Sequence, residues 1–187
     1  MENGDEITIA AVDESRWGDL EQLFDSRGGP KSCWCMVWRD MREHPQASDG
    51  PSRKRAMKAR VESGQPIGLL AYLDGEPTAW CSVAPRPTYK KLGGPIYEGV
   101  PEEAVWSIVC FFVKRTARGT GLFDLLLTNA VAHARAQGAA VVEGYPVDPD
   151  SPSYRFMGFV SSFTALGFDE VGKAGSRRHV MTLRIAL

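Results

Sequence analysis

The sequence has neither an excess of one charge nor a long apolar run. Its 187 residues include 22 Lys and Arg against 23 Asp and Glu, a formal net charge of -1 at pH 7. A protein that binds nucleic acid through the phosphate backbone usually carries a basic excess, so we expect no nucleic-acid partner. No apolar stretch reaches the roughly 20 residues that a membrane-spanning helix needs, so we expect no membrane partner either.

Cysteine and histidine are also scarce, with 4 Cys and 3 His. Residues 1–6 are polar and acidic, whereas a secretory signal needs a basic start followed by an apolar stretch. We therefore expect a cytoplasmic protein with reduced thiols. Cys33 and Cys35 are one residue apart, unlike the C-x2-C pairs of structural zinc sites, so we predict no metal. Buried thiols explain these cysteines more simply, although a thiol or metal protein built on them stays as an alternative.

The length suits a single domain over residues 1–187. Hydrophobic periodicity, capping residues and turn residues predict its elements. Helices are predicted at 16–24, 51–62, 119–137 and 154–166, and strands at 7–12, 66–73, 78–83, 105–113, 139–145, 168–171 and 179–185. The strand at 105–113 is apolar on both faces, which is typical of a strand inside a sheet. This order predicts an α/β (α+β) fold, with a mixed, mostly antiparallel central sheet and helices on both faces.

A glycine-containing turn at 118–121 joins this buried strand to the longest predicted helix. Gly119 and Gly121 have no side chains, so a phosphate group can approach the backbone closely. N–H groups at the start of a helix have no partner within the helix and favour an anion. Asp124 replaces the third glycine of a dinucleotide-binding fingerprint, and no Walker Gly-Lys-Ser/Thr is present. The turn therefore indicates a different pyrophosphate carrier. Three cations flank it: Lys114, Arg115 and Arg118.

This segment resembles the GCN5-related N-acetyltransferase (GNAT) family. That family surrounds the pyrophosphate of acetyl-CoA with an R-G-x-G-[ILV]-[GA] turn, and an apolar strand residue stands five positions earlier. The chain has Arg118-Gly119-Thr120-Gly121-Leu122-Phe123, with Val113 five residues before Arg118. The predicted strand at 139–145 and an aromatic-x3-Gly-Phe sequence at 163–168 also look like the family.

The resemblance implies the GNAT acyl-CoA N-acyltransferase fold, with acetyl-CoA as cosubstrate. It also implies direct transfer of an acetyl group to a primary amine of a small molecule or of a protein. In the family, backbone N–H groups of the strand before the turn bind the pantetheine arm and polarise the thioester carbonyl. The residues implied to bind the cofactor are Phe111, Phe112, Val113, Arg118, Gly119, Thr120, Gly121, Leu122 and Phe123.

Two positions depart from the family pattern. Phe123 stands where Gly or Ala is usual, so either the turn is wider or the ring packs inward. Phe163 stands where the family often has a Tyr that protonates the departing thiolate, and a phenyl ring has no proton to give. A non-catalytic acyl-CoA-binding or sensing module on the same fold is therefore the alternative to an enzyme.

The candidate catalytic side chains are Glu143, Ser107 and Tyr154. Tyr154 and Tyr145 are the two candidates to replace the missing acid. Glu143 lies among apolar strand residues, where burial would raise its pKa toward a value useful to a general base. A solvent-facing position at a sheet edge is the alternative for it. Ser107 would orient a water or bond to the backbone. Three loop glutamates are further candidates for the base: Glu98, Glu102 and Glu103.

An aromatic acceptor pocket is predicted from the segment between the first two helices and nearby strands. Its predicted lining is Cys33, Trp34, Trp38, Trp80 and Trp106. Aromatic walls would favour a flat apolar or cationic acceptor, and core packing is the alternative for each Trp. An exposed edge strand near the C-terminus would allow a homodimer.

Overall fold

Seven strands and four α-helices are found in the computed structural model, which describes residues 6–186. The strands are β1 (Ile7–Ala11), β2 (Leu69–Leu73), β3 (Glu76–Pro85), β4 (Val105–Val113), β5 (Val141–Gly144), β6 (Asp169–Ala174) and β7 (Arg178–Arg184). The helices are α1 (Trp17–Asp25), α2 (Gly50–Glu62), α3 (Leu122–Ala136) and α4 (Val160–Ala165). Residues 1–5, on which the expectation of no secretory signal partly depends, lie outside the described residues.

The strands form one sheet in the order β1-β2-β3-β4-β5-β7-β6. β4 and β5 are parallel, and every other neighbouring pair is antiparallel. Two parallel neighbours need a crossover connection, and α3 supplies it. The predicted mixed, mostly antiparallel sheet is therefore confirmed.

Helices cover both faces of the sheet, because successive side chains of a strand point to opposite faces. Ala79 and Cys81 of β3 pack with residues of α3 in one buried cluster. Trp80, which lies between them, packs with residues of α1 and α2 in a second cluster. The predicted placement of helices on both faces is confirmed as well.

Two helices begin later than the sequence predicts. α3 begins at Leu122 rather than at 119, and α4 begins at Val160 rather than at 154. Each predicted start contains residues with positive φ: Gly119 (79°), Gly121 (81°), Tyr154 (61°) and Gly158 (90°). A residue with positive φ cannot take part in a right-handed helix, so the regular turns start only after these positions.

The edge of the sheet nearest the C-terminus is β6, and five of its six residues are exposed. Charged residues along such an edge oppose uncontrolled pairing with another strand. Three of them lie here: Asp169, Glu170 and Lys173. None of the described helices combines the length and the apolar character needed to cross a membrane.

Candidate active site

β4 is paired along both edges for only half of its length. Residues 105–108 pair with 141–144 of β5, which ends there, while β4 continues to Val113. On the β3 side the register shifts, since Ser82 pairs with Cys110 but Val83 pairs with Ile108. Val109 is therefore left as a bulge. A bulge bends a strand and increases its twist, and this one lies where β4 and β5 separate.

The separation of the two strands opens a cleft of about 760 Å³. One wall is the second half of β4, and another is the segment from Arg155 to Ser162 beside α4. Eight of the nine residues that the resemblance assigns to a cofactor line this cleft: Phe111, Phe112, Val113, Arg118, Gly119, Gly121, Leu122 and Phe123. The ninth, Thr120, donates a hydrogen bond from Oγ1 to the Ala117 carbonyl (2.7 Å) and so holds the turn.

The glycine turn exposes the first backbone N–H groups of α3. Gly119 and Gly121 adopt left-handed φ values, and a Cβ on either residue would meet no atom within 4 Å. The first turn of a helix leaves its N–H groups without intrahelical acceptors and carries the positive end of the helix dipole. The backbone conformation thus explains why glycines stand here, and the open space above them leaves room for an anion.

Positive charge extends from the turn to the end of α1. A second cavity, of about 620 Å³, shares Gly28, Phe112 and Arg118 with the cleft. Its lining contains four cations: Arg27, Lys114, Arg115 and Arg118. The sequence predicts three of them, whereas Arg27 is distant in the chain and nothing local marked it. Asp124 contributes a carboxylate to the cleft itself.

The ring of Phe123 packs inward, which decides between the two alternatives left by the sequence. Its centroid lies 4.3 Å from that of Phe111. Gly158 leaves the space that the ring needs, because a Cβ there would lie 2.7 Å from Phe123 Cζ. The turn therefore keeps its shape with a large residue at its last position.

Of the aromatic side chains considered for the acid, only Tyr154 has an unoccupied hydroxyl near the cleft. Phe163 is fully buried, and the centroid of its ring lies 5.1 Å from that of Phe168. Tyr145 is fully buried too, and its hydroxyl donates to Glu143 Oε1 at 2.6 Å. Burial, followed by the neighbouring carboxylate, raises the pKa of Tyr145 far above its usual range. The Tyr154 hydroxyl makes no hydrogen bond with any described residue, and its ring lies 6.3 Å from that of Phe156, which lines the cleft.

Glu143 is a fully buried carboxylate whose acceptor sites are occupied. Arg86 donates to both of its oxygens. Ser107 Oγ donates to Oε1 at 2.7 Å, and Tyr97 Oη donates to Oε2 at 3.2 Å. With Tyr145 this makes a saturated polar network between β4, β5 and the connection that precedes β4.

This network corrects the interpretation of Glu143 as a general base and of Ser107 as a catalytic side chain. A carboxylate that already accepts five hydrogen bonds has no free lone pair for a substrate proton. Neither residue lines the cleft, and neither do Glu98, Glu102 and Glu103. The alternative of a solvent-facing Glu143 is wrong as well. Sequence reasoning missed two residues of the network, Arg86 and Tyr97. Both lie in the connection between β3 and β4.

The predicted aromatic pocket does not form as one site. Trp34 and Trp80 are buried with α1 and α2, and Trp34 stacks on Trp17 at 5.6 Å. Trp106 is buried on the opposite face, 5.6 Å from His133 of α3. Strand alternation separates them, because Trp80 and Trp106 point to different sides of the sheet. Of the four tryptophans in the predicted pocket, only Trp38 is half-buried, and the centroid of its ring lies 6.2 Å from that of Tyr154.

The cysteines pack as thiols rather than lining a pocket wall. Cys35 is buried, and its Sγ lies 3.2 Å from Sγ of Cys110 on β4. Cys33 donates a weak hydrogen bond from Sγ to the Pro30 carbonyl (3.5 Å). Hydrogen bonding to Cys35, with burial, raises the pKa of Cys33 far above its usual range. Within residues 6–186, no three His, Cys, Asp or Glu side chains are grouped so as to hold a metal ion.

Comparison with solved structures agrees with this fold. PaiA N-acetyltransferase from Thermoplasma acidophilum, in complex with coenzyme A, is 13% identical over 96% of this chain and 99% of that chain, with a TM-score of 0.57. YncA from Salmonella typhimurium, with its cofactor acetyl-CoA, is 18% identical over 96% and 94%, with a TM-score of 0.55. Ribosomal-protein-alanine N-acetyltransferase from Brucella melitensis is 19% identical over 96% and 99%, with a TM-score of 0.54. Identities this low establish the fold alone.

A sequence profile decides the family. The profile of the acetyltransferase (GNAT) family matches residues 32–159, which include β2 to β5, α2, α3 and all the lining residues of the cleft except Gly28 and Ser162. The chain therefore belongs to the GNAT acetyltransferase family, as the resemblance implied. No curated protein sequence matches the chain significantly.

Proposed function

We propose that this protein is an N-acetyltransferase that moves an acetyl group from acetyl-CoA directly to a primary amine of a small molecule or of a protein. One observation carries the proposal: the cleft between the unpaired half of β4 and α4 ends at a left-handed glycine turn that opens α3. We also propose that residues 1–187 form one domain. In support, the sheet takes strands from both sides of the segment that matches the family.

The cleft suits a long, bent cofactor with an anionic end. Within residues 6–186 no strand pairs with the backbone of 111–113 on the cleft side, so this backbone can pair with the amide groups of a pantetheine arm as with an added strand. The pyrophosphate would then lie against the N–H groups at the start of α3. Arg27, Lys114 and Arg115 would supply cations to the same anion from the neighbouring cavity.

The reaction replaces one bond to the acetyl carbon with another. The amine nitrogen attacks the thioester carbonyl, a C–N bond forms and the C–S bond breaks. Backbone N–H groups of β4 stabilise the oxyanion, and the Tyr154 hydroxyl protonates the departing sulfur. The proton released by the amine restores the tyrosine through solvent. Among the described residues that line the cleft, Asp124 is the one carboxylate. Because no other carboxylate there could accept a proton from the amine, we propose that the amine enters as its free base.

The cofactor site is tested by calorimetry of acetyl-CoA binding to Gly121→Asp. A side chain at a φ of 81° is strained by about 1–2 kcal/mol, and its carboxylate would repel the pyrophosphate. We expect binding to weaken by at least 100-fold, roughly the effect of losing one or two charge-assisted hydrogen bonds. The matched control is Gly138→Asp, which has a φ of 87° and open space at the other end of α3. Equal binding by the two variants would contradict the site.

The acid is tested by Tyr154→Phe, which removes only the hydroxyl. We expect kcat to fall by about 100-fold or more, the usual size of a general-acid contribution, with the KM for acetyl-CoA unchanged. Tyr72→Phe is the control, because its hydroxyl donates to Asp19 (2.7 Å) and neither residue lines the cleft. An unchanged kcat in Tyr154→Phe would remove Tyr154 from the mechanism.

A non-catalytic acyl-CoA-binding module is the second candidate function. Phe163 favours it, because the position of the usual acid is filled by a fully buried ring. The two functions differ in one measurement, the release of thiol from acetyl-CoA in the presence of a panel of primary amines. Tight binding of acetyl-CoA without thiol release would favour the module, and turnover with any amine would exclude it.

A further inference from the structure

Two separate connections of the chain converge on Arg178, the first residue of β7. Trp38 comes from the connection between α1 and α2, and Tyr154 from the connection between β5 and α4. The Arg178 guanidinium carbon lies 4.5 Å from the ring centroid of Trp38, 5.5 Å from that of Tyr154 and 5.8 Å from that of Tyr145. We call these four residues the Arg178 cluster.

The Arg178 cluster lies near residues that line the cleft. Trp38, Tyr145 and Tyr154 pack in the same cluster as Val109, the bulge residue of β4. Val109 is two residues from Phe111, which lines the cleft, so about 7 Å of strand separates them. Tyr154 also precedes Arg155 and Phe156 of the cleft wall. A group bound at Arg178 would therefore lie beside the end of the cofactor that carries the acetyl group.

Arg178 is half-buried and makes fewer hydrogen bonds than Arg39, Arg60 and Arg86. Arg39 donates to Thr88, Ile67 and Ser82, and Arg86 pairs with Glu143. Arg178 makes one hydrogen bond, from Nη1 to the Leu92 carbonyl at 3.1 Å. Within residues 6–186, no carboxylate lies within ion-pair distance of it.

The stacking of Arg178 leaves it able to bind an anion. A guanidinium that stacks on an aromatic ring uses its faces, whereas its N–H donors lie in its plane and match both oxygens of a carboxylate. A half-buried cation without an anion is unfavourable, and burial lowers the pKa of Arg178 accordingly. An arriving carboxylate would remove this penalty.

We propose that the Arg178 cluster binds the carboxylate of the acceptor, so that the acceptor is an amino acid or a similar primary amine bearing a carboxylate. This inference rests on the proposed function. Arg178 pairs with the carboxylate, the rings of Trp38 and Tyr154 hold the acceptor beside it, and the amine faces the thioester. Arg178 is thus a specificity-determining residue of the acceptor site.

The experiment compares amino acids with the amines that differ only by loss of the carboxylate. Suitable pairs are phenylalanine with phenethylamine, tryptophan with tryptamine, and lysine with cadaverine, assayed by thiol release from acetyl-CoA. We expect the wild type to favour the carboxylate partner of at least one pair by about 10-fold or more in kcat/KM. In Arg178→Gln that preference should fall by about 10- to 100-fold, the size of a charge-assisted hydrogen bond. The KM for acetyl-CoA should stay unchanged.

The control is Arg177→Gln, which makes the same change in charge at an exposed neighbour that donates to Ser153. It should keep the preference for the carboxylate partner, and Arg178→Lys should retain part of it. An equal loss with both members of each pair would show a merely structural role for Arg178 and overturn the inference. So would a wild type that acetylates amines without favouring the carboxylate partner, although the proposed function would then stand. If neither the amino acids nor the amines cause thiol release from acetyl-CoA, the inference and the proposed function are both overturned.

Discussion

The two halves of β4 differ in how completely the strand and the polar groups around it find hydrogen-bond partners. Residues 105–108 lie between β3 and β5, and the polar groups beside them form the saturated network of Glu143. Among the described residues, 109–113 have a strand on one side only, and they border a cleft and the N–H groups that open α3. Within one strand, the complete half holds the fold together and the incomplete half borders the proposed ligand site.

The difference bears on how polar groups are read in a sequence. Glu143 and Ser107 are polar residues in apolar strands, which favours a catalytic interpretation. In the structure they are bonded to each other at 2.7 Å and buried. Nothing in the sequence singles out Arg178, yet in the structure it makes one hydrogen bond and has no carboxylate within ion-pair distance among the described residues. The proposed acceptor site therefore depends on hydrogen-bonding capacity that the fold leaves unused, not on the presence of polar residues in apolar strands.

The largest expected effect comes from breaking the complete half. Glu143→Ala leaves the guanidinium of Arg86 and three hydroxyls without their acceptor. Removing one partner of a buried ion pair typically costs about 3–5 kcal/mol, so we expect a loss of that size in the free energy of unfolding. Urea denaturation measures it, and Glu102→Ala, at an exposed glutamate, serves as control. A stable variant whose kcat falls by orders of magnitude would instead restore Glu143 as the base.

A smaller effect is expected from crowding the incomplete half. In Gly158→Ala the added Cβ would lie 2.7 Å from Phe123 Cζ and would push this ring into the cleft. We expect a loss of stability about 1–3 kcal/mol greater than in Gly167→Ala, the usual cost of overpacking, together with weaker binding of acetyl-CoA. Gly167 is the matched control, because its φ of 86° is similar and its Cβ would meet nothing within 4 Å. Equal stability and equal binding in the two variants would mean that Phe123 does not restrict the cleft.

The smallest expected effect is a pH dependence in the complete half. His133 packs on Trp106 of β4, and burial lowers its pKa below the ordinary value of 6.5. The unfolded chain therefore binds this proton more readily than the folded protein, so stability falls as pH decreases through 6.5. We expect the free energy of unfolding to fall less between pH 7 and pH 5.5 in His133→Gln than in the wild type. The His179 pairs with Asp148 and Glu170 are present in both proteins and cancel in the difference. Parallel curves would contradict the prediction.

Most of the fold could be predicted because its signals are local. Hydrophobic periodicity, capping residues and turn residues predict the strands and helices, and Asp49 caps α2 by accepting a hydrogen bond from the Ser52 N–H (2.7 Å). The predicted starts of α3 and α4 are wrong because Tyr154 and the turn glycines adopt positive φ. The type of a residue permits a positive φ but does not require one. The turn of the cofactor site is local in the same sense, since its residues are consecutive along the chain.

The proposed acceptor site could not be predicted, because its residues come from separate parts of the chain. Trp38, Tyr154 and Arg178 are spread over the chain, and no spacing between them carries a signal. Trp34, Trp80 and Trp106 look equivalent to Trp38 in the sequence, and burial on two different faces is what separates them.

The sequence alone determines that charge is balanced, that long apolar runs are lacking, and that a glycine turn follows an apolar strand. These features depend on composition and on neighbours along the chain. Only the tertiary structure decides which polar groups are satisfied: Arg86 reaches Glu143 across 57 residues, whereas Arg178 finds no carboxylate among the described residues. Hydrogen bonds and ion pairs act over a few ångströms in space, and the folded sheet sets which residues are that close.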